Sequence, residues 1–81
     1  MKVLIVDDEI LAAKYLSKIL QACGFEFESI DCIYQSTEAL SIDLKQYDVL
    51  FLDMNMPKLS GIDFLNKMQL PPDLPIIITT A

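Results

Sequence analysis

Three acidic residues stand where an apolar run stops. Asp7 and Asp8 follow Val3-Leu-Ile-Val6, and Asp53 follows Val49-Leu-Phe-Leu52. If the two runs are neighbouring strands, the ~4.8 Å strand spacing brings three carboxylates to one end of a sheet. Left alone they repel each other, and a hard divalent cation resolves the conflict. Mg²⁺ suits such a place, because it takes oxygen ligands only and completes its shell with waters and a phosphate oxygen. A single Asp after a strand is ordinarily a helix cap or the start of a turn. The doublet together with Asp53 favours a shared site, since two buried strands that both end in acids are hard to explain as caps alone. A third apolar run, Ile76-Ile-Ile78, leaves through Thr79 and Thr80, which adds hydroxyls to the same end.

The elements that must position these groups come from a chain of 81 residues, enough for one small domain. Apolar residues make up 53% of it, with only two Gly and four Pro, so a core can form and disorder is excluded. Its 12 acidic residues face six Lys and no Arg, and the net charge of −6 argues against direct nucleic acid binding. The absence of His removes imidazole catalysis, His metal ligation and His phosphorylation. Cys23 and Cys32 form neither a CxxC pair nor a disulfide framework, which fits a reduced, cytoplasmic compartment with both as core or edge residues. Charge arrives after four apolar residues at the start, too early for a signal peptide or a membrane span.

Hydrophobic patterning predicts four strands and three helices in strict alternation. Residues 3–6 and 49–52 are unbroken apolar runs suited to strands covered on both faces. From Ile10 a helical stripe runs through Ala13, Leu16, Leu20 and Cys23 until Gly24 stops it. Residues 25–30 alternate Phe25, Phe27 and Ser29 with Glu26, Glu28 and Ile30, as a short strand near a sheet edge does. A short helix is expected over 36–44. Another is expected after Ser60, capped by its hydroxyl with Asp63 three residues on, running through Phe64, Leu65 and Met68 until Pro71 and Pro72. A final strand covers 76–78. This βαβαβαβ order predicts an α/β fold: a parallel sheet with right-handed crossovers, helices on both faces, and a ligand site beyond the carboxyl ends of the strands.

Taken together, Val3-Leu-Ile-Val-Asp-Asp-Glu9, Val49-Leu-Phe-Leu-Asp53-Met-Asn-Met-Pro57 with Gly61, and Ile76-Ile-Ile-Thr-Thr-Ala81 resemble the receiver domain of bacterial two-component response regulators. The motifs match in order and spacing across the whole chain. Leu59-Ser-Gly-Ile62 and the Thr-Thr-Ala ending look most like receivers that precede LytTR-type DNA-binding domains. The resemblance implies a flavodoxin-like, doubly wound parallel sheet of order 2-1-3-4. It implies that Asp53 is the phosphoacceptor, taking a phosphoryl group from the phosphohistidine of a sensor histidine kinase in phosphorelay signal transduction. Asp8 would ligate Mg²⁺ directly, Asp7 largely through water, and the backbone carbonyl of Asn55 would be a further ligand. Thr80 fits the hydroxyl that turns toward the phosphoryl oxygen, leaving Thr79 as ordinary strand. An anionic acceptor meeting an anionic donor needs a cation between them, which agrees with this assignment. Met56, Pro57 and Gly61 are expected to shape the turn after the acceptor.

Receivers usually run to roughly 120 residues with about five βα units. Against that pattern residues 1–81 read as the N-terminal part of a single receiver, lacking the final α4-β5-α5 and the phosphoryl-contacting Lys carried there. Lys58 and Lys67 lie on the wrong segments to replace it, and a C-terminal output domain would lie further on. The alternative is a non-switching receiver fragment acting as an association module, with likewise an expected self-association through an apolar edge at 76–78. A hydrolase of the haloacid dehalogenase type also starts from an Asp after a strand, but wants a second Asp where this chain has Asn55. The receiver reading is a signalling domain rather than an enzyme, with only self-directed phosphotransfer and dephosphorylation.

Overall fold

The computed structural model describes residues 1–24, 26–57 and 59–79. Its elements follow the order β1 (Lys2–Val6), α1 (Ile10–Ala22), β2 (Ser29–Ile33), α2 (Ser36–Ala39), β3 (Val49–Leu52), α3 (Gly61–Lys67) and β4 (Ile76–Ile78), with a 3-10 turn at Leu44–Gln46. The four strands form one parallel sheet in the order β2-β1-β3-β4. The expected α/β architecture and strand order are therefore present.

Side-chain alternation divides the core into two layers. Leu4 and Val6 of β1 join Leu50 and Leu52 of β3 on one face, where Ala39 of α2 and Phe64 of α3 cover them. Val3 and Ile5 face the other way with Val49 and Phe51, against Ala13, Leu16 and Leu20 of α1. Because both faces are covered, β1 and β3 contain no polar side chain beyond Lys2 at the start. Their ends are where polarity can begin.

Two expected elements have other bounds in the structure. The strand predicted over 25–30 is found at Ser29–Ile33, while Phe25 lies outside the described residues. Phe27 nonetheless packs into the α1-side layer from the segment before the strand. The pairing of Lys2 with Ser29 and Val6 with Ile33 sets β2 in register with all five residues of β1. Asp31 sits on this edge strand and accepts a 2.7 Å hydrogen bond from the Tyr47 hydroxyl. Burial, reinforced by that carboxylate, pushes the Tyr47 phenol up to about 12.

The helix expected over 36–44 ends at Ala39. Ser41 Oγ donates to the Glu38 carbonyl at 2.9 Å, and Asp43 Oδ1 accepts from the Lys45 amide at 3.0 Å. These side chains bond the local backbone and divert it from the helix into the 3-10 turn. By contrast α1 ends as expected: Gly24 has φ of 84°, a conformation that only glycine adopts without strain. Ser60 caps α3, its Oγ accepting from the Asp63 amide at 3.1 Å. Cys23 is exposed at the end of α1 and Cys32 is half-buried on β2, both as free thiols.

Candidate functional site

The sheet hydrogen-bond ladder continues one residue past the strands. The Asp7 amide donates to the Ile33 carbonyl at 3.0 Å, the Asp53 amide to the Val6 carbonyl at 2.9 Å, and the Thr79 amide to the Leu52 carbonyl at 3.0 Å. Asp7, Asp53 and Thr79 thus form one row across β1, β3 and β4. With Asp8 beside Asp7, carboxylate oxygens of Asp7, Asp8 and Asp53 all lie within 4.8 Å of one another. They line a cavity of ≈ 360 Å³ together with Glu9, Ala12, Asn55 and Thr79.

Two of the acids are locked by their own loops. Asp7 Oδ1 accepts from the Glu9 amide and Asp53 Oδ1 from the Asn55 amide, each at 2.9 Å. Both are turns in which an Asp side chain bonds the backbone two residues ahead. The cap-or-turn explanation therefore describes half of what these residues do. Their carboxylates also face each other, and Asp53, at 7% exposure, is the single charged residue in the buried core among the described residues. Burial above all, opposed by the amide of Glu9 and aided by the neighbouring Asp53 and Asp8, raises the Asp7 carboxyl to about 6. The cluster is thus electrostatically frustrated.

Its chemistry fits a hard divalent cation. All three side-chain donors are oxygens, and an octahedral Mg²⁺ with ~2.1 Å bonds keeps ligand oxygens no more than ~4.2 Å apart. Three carboxylate oxygens within 4.8 Å of one another are near enough for side-chain rotation to bring them around one such ion.

The segment after Asp53 is anchored from below. Met56, expected only to shape the turn, is 4% exposed and belongs to the α2/α3-side core, as does Leu59. Pro57 between them is exposed, as a turn residue. Gly61 is required by closeness rather than by backbone angle. A Cβ there would strike the Met54 Sδ and come within 2.8 Å of Met54 Cα and 2.9 Å of the Asp53 carbonyl oxygen. The Gly61 amide also donates to the Met54 carbonyl at 3.2 Å. The first turn of α3 thereby presses directly on the backbone of Asp53 and Met54.

Of the residues singled out in the sequence, Asp7, Asp8, Asp53 and Asn55 meet at one cavity. Thr80, expected to supply the switch hydroxyl, lies outside the described residues, as does Lys58. Thr79, expected to be ordinary strand, stands just past β4 and lines the cavity. Glu9 and Ala12 also line it without having been singled out; their place in the first turns after Asp8 was the available signal.

Comparison with known proteins identifies the family of this chain. The family model described as response regulator receiver domain matches residues 3–81. A transcriptional regulatory protein, LytR, of Staphylococcus aureus (strain N315) is 40% identical over 86 aligned positions that cover 100% of this chain and 33% of its own. The CpxR homolog of Haemophilus influenzae is 35% identical over 80 residues, covering 99% of this chain and 34% of its own. The chain thus spans about a third of the length of these relatives. Among solved structures, a two-component transcriptional regulator AraC from Clostridium phytofermentans superposes with a TM-score of 0.81 at 33% identity, covering 99% of this chain and 66% of that one. The response regulator TrrA of Thermotoga maritima, solved in complex with Mg²⁺ and BeF, gives 0.79 at 33% identity, covering 98% and 68%.

Proposed function

Since the chain belongs to the response regulator receiver family, with its role in phosphorelay signalling, we propose that Asp53 is its phosphoacceptor and that Asp7 and Asp8 hold Mg²⁺ beside it. The observation that carries this is the meeting of the three carboxylates within 4.8 Å around the one buried acid. The turn to Asn55 holds Oδ1 of Asp53, so the attacking atom of the nucleophile is assigned to Oδ2. That oxygen bonds to phosphorus as the donor's bond to phosphorus breaks, the electron pair leaving with the donor. Bound Mg²⁺ supplies charge neutralisation between acceptor and phosphoryl group. Asp8 would ligate it directly, Asp7 largely through water, and the Asn55 carbonyl would join them. Thr80 is the hydroxyl that reads the product.

The donor is a sensor histidine kinase, and the setting is the cytoplasm; no helix among the described residues is long and apolar enough to cross a membrane. Residues 1–81 are the N-terminal part of a single receiver, in a protein whose output domain, of LytTR type, acts on transcription. The 40% identity with LytR supports that output. Phosphotransfer and phosphate loss are self-directed, so the domain signals rather than turning over a substrate. A second reading, self-association, draws on Ile77 and Ile78 of β4, each 45% exposed.

The test uses the full polypeptide that carries this sequence. Incubation with a small phosphoryl donor and Mg²⁺ should label Asp53, and Asp53→Asn should lose the label. Mass spectrometry finding the label on another carboxylate would refute the assignment.

A further inference from the structure

The geometry points to Thr79 as a second phosphoryl-binding hydroxyl, on the flank of Asp53 opposite the acids. This inference rests on Asp53 being the acceptor. In the sheet order, β3 lies between β1 and β4, so Asp53 has Asp7 and Asp8 on one side and Thr79 on the other. The ladder bonds from Asp7, Asp53 and Thr79 to the carbonyls of Ile33, Val6 and Leu52 put all three in one row. They also share a face. Ile5 and Phe51 point into the α1-side layer, and Ile77 lines an apolar cavity with Val3, Val49 and Phe51. Two residues further along each strand, alternation returns Asp7, Asp53 and Thr79 to that same side. Neighbours in such a row are separated by the ~4.8 Å strand spacing, the reach of a hydroxyl to an oxygen on a group carried by Asp53. Thr79 lines the acidic cavity, as this placement requires.

A phosphoryl group on Asp53 presents three oxygens, and those turned toward β1 meet the acids and their cation. An oxygen turned toward β4 meets Thr79, whose hydroxyl donates a hydrogen bond to it and stays protonated throughout. As the Asp53 oxygen bonds to phosphorus and the donor's bond breaks, charge spreads over these oxygens, so a donor aimed there favours transfer. An ordinary β-branched strand end would depend on Thr79's shape alone. A hydrogen-bonding role depends on its oxygen.

Two substitutions separate shape from oxygen: Thr79→Val keeps the branched shape without the hydroxyl, and Thr79→Ser keeps the hydroxyl without the branch. The full polypeptide is labelled with acetyl phosphate and Mg²⁺, acetate leaving as the Asp53 acyl phosphate forms. Losing one hydrogen bond to a charged group should slow labelling roughly tenfold in Thr79→Val. Thr79→Ser should stay within about twofold of the parent, and the Mg²⁺ concentration giving half-maximal thermal stabilisation should be the same in all three. Equal rates in Thr79→Val and the parent would overturn the inference. So would an equal loss in both variants, or a shifted Mg²⁺ response in Thr79→Val. A parent that acquires no label at Asp53 would instead sink the acceptor assignment beneath it.

Discussion

Replacing Gly61 by Ala sets two physical arguments against each other. Helix propensity alone favours Ala over Gly by up to ~1 kcal/mol in a helix interior, and Gly61 carries no positive φ that would object to a side chain. Packing predicts the opposite sign. The new Cβ would stand 2.8 Å from Met54 Cα and 2.9 Å from the Asp53 carbonyl oxygen, where ordinary contact begins at 3.4 Å. The Met54 thioether can swing aside, being flexible, but the backbone atoms cannot. Relief requires α3 and the Asp53–Met54 backbone to separate by about 0.5 Å, at a cost of ~1 to 3 kcal/mol for overpacking. The same shift moves Asp53. Misplacement by 1 Å costs ~100-fold in well-positioned reactions, so half that distance should slow labelling of Asp53 on the order of tenfold. Urea unfolding measures the first effect and the rate of labelling by a small phosphoryl donor the second. A Gly61→Ala protein as stable as the parent, or more so, with an unchanged rate would refute the close-approach argument.

Two further outcomes concern the ion and the proton. In Asp8→Ala, the stability gained from Mg²⁺ should vanish; in the parent, mass action sets that gain at ~2.7 kcal/mol when the ion is a hundredfold above its dissociation constant, and calorimetric titration of thermal unfolding reads it. Without divalent cations, the Asp7 carboxyl holds its proton more tightly in the fold, at about 6, than in the unfolded chain, at 3.8. Its contribution is therefore complete below 3.8 and is lost as pH rises through about 6; the urea midpoint of Asp7→Asn should lack this fall, and an identical pH profile in parent and variant would contradict it.

The sequence made some parts of this structure easier to read than others, for local reasons. The runs at 49–52 and 76–78 emerge as strands at those residues, and 3–6 gains only Lys2, because a strand buried on both faces leaves little room for another pattern. At the edge, the alternation of Phe27 with its charged neighbours imitates a strand one segment early, and only pairing with β1 selects Ser29–Ile33. The short α2 depends on whether Ser41 and Asp43 bond the backbone, a choice that propensity does not carry. The three acids were legible because they follow directly on the ends of two apolar runs. The place of Thr79 was not, since it needs the register of β4 against β3, and Gly61 gave no hint that crowding rather than backbone angle demands it.

The strand order also governs how the chain reaches this state. β1 is made first, yet its partners are Ser29–Ile33 on one side and Val49–Leu52 on the other, and β3 in turn waits for Ile76–Ile78. Each pairing is parallel, so no hairpin can start the sheet and every strand contact requires closing a long loop first. Loop-closure entropy must be met before these contacts return anything, which places the fold among the slower small domains rather than the fast helical ones. β1 remains an apolar segment without a partner until β2 or β3 arrives, and that interval is when the nascent chain is most exposed to aggregation.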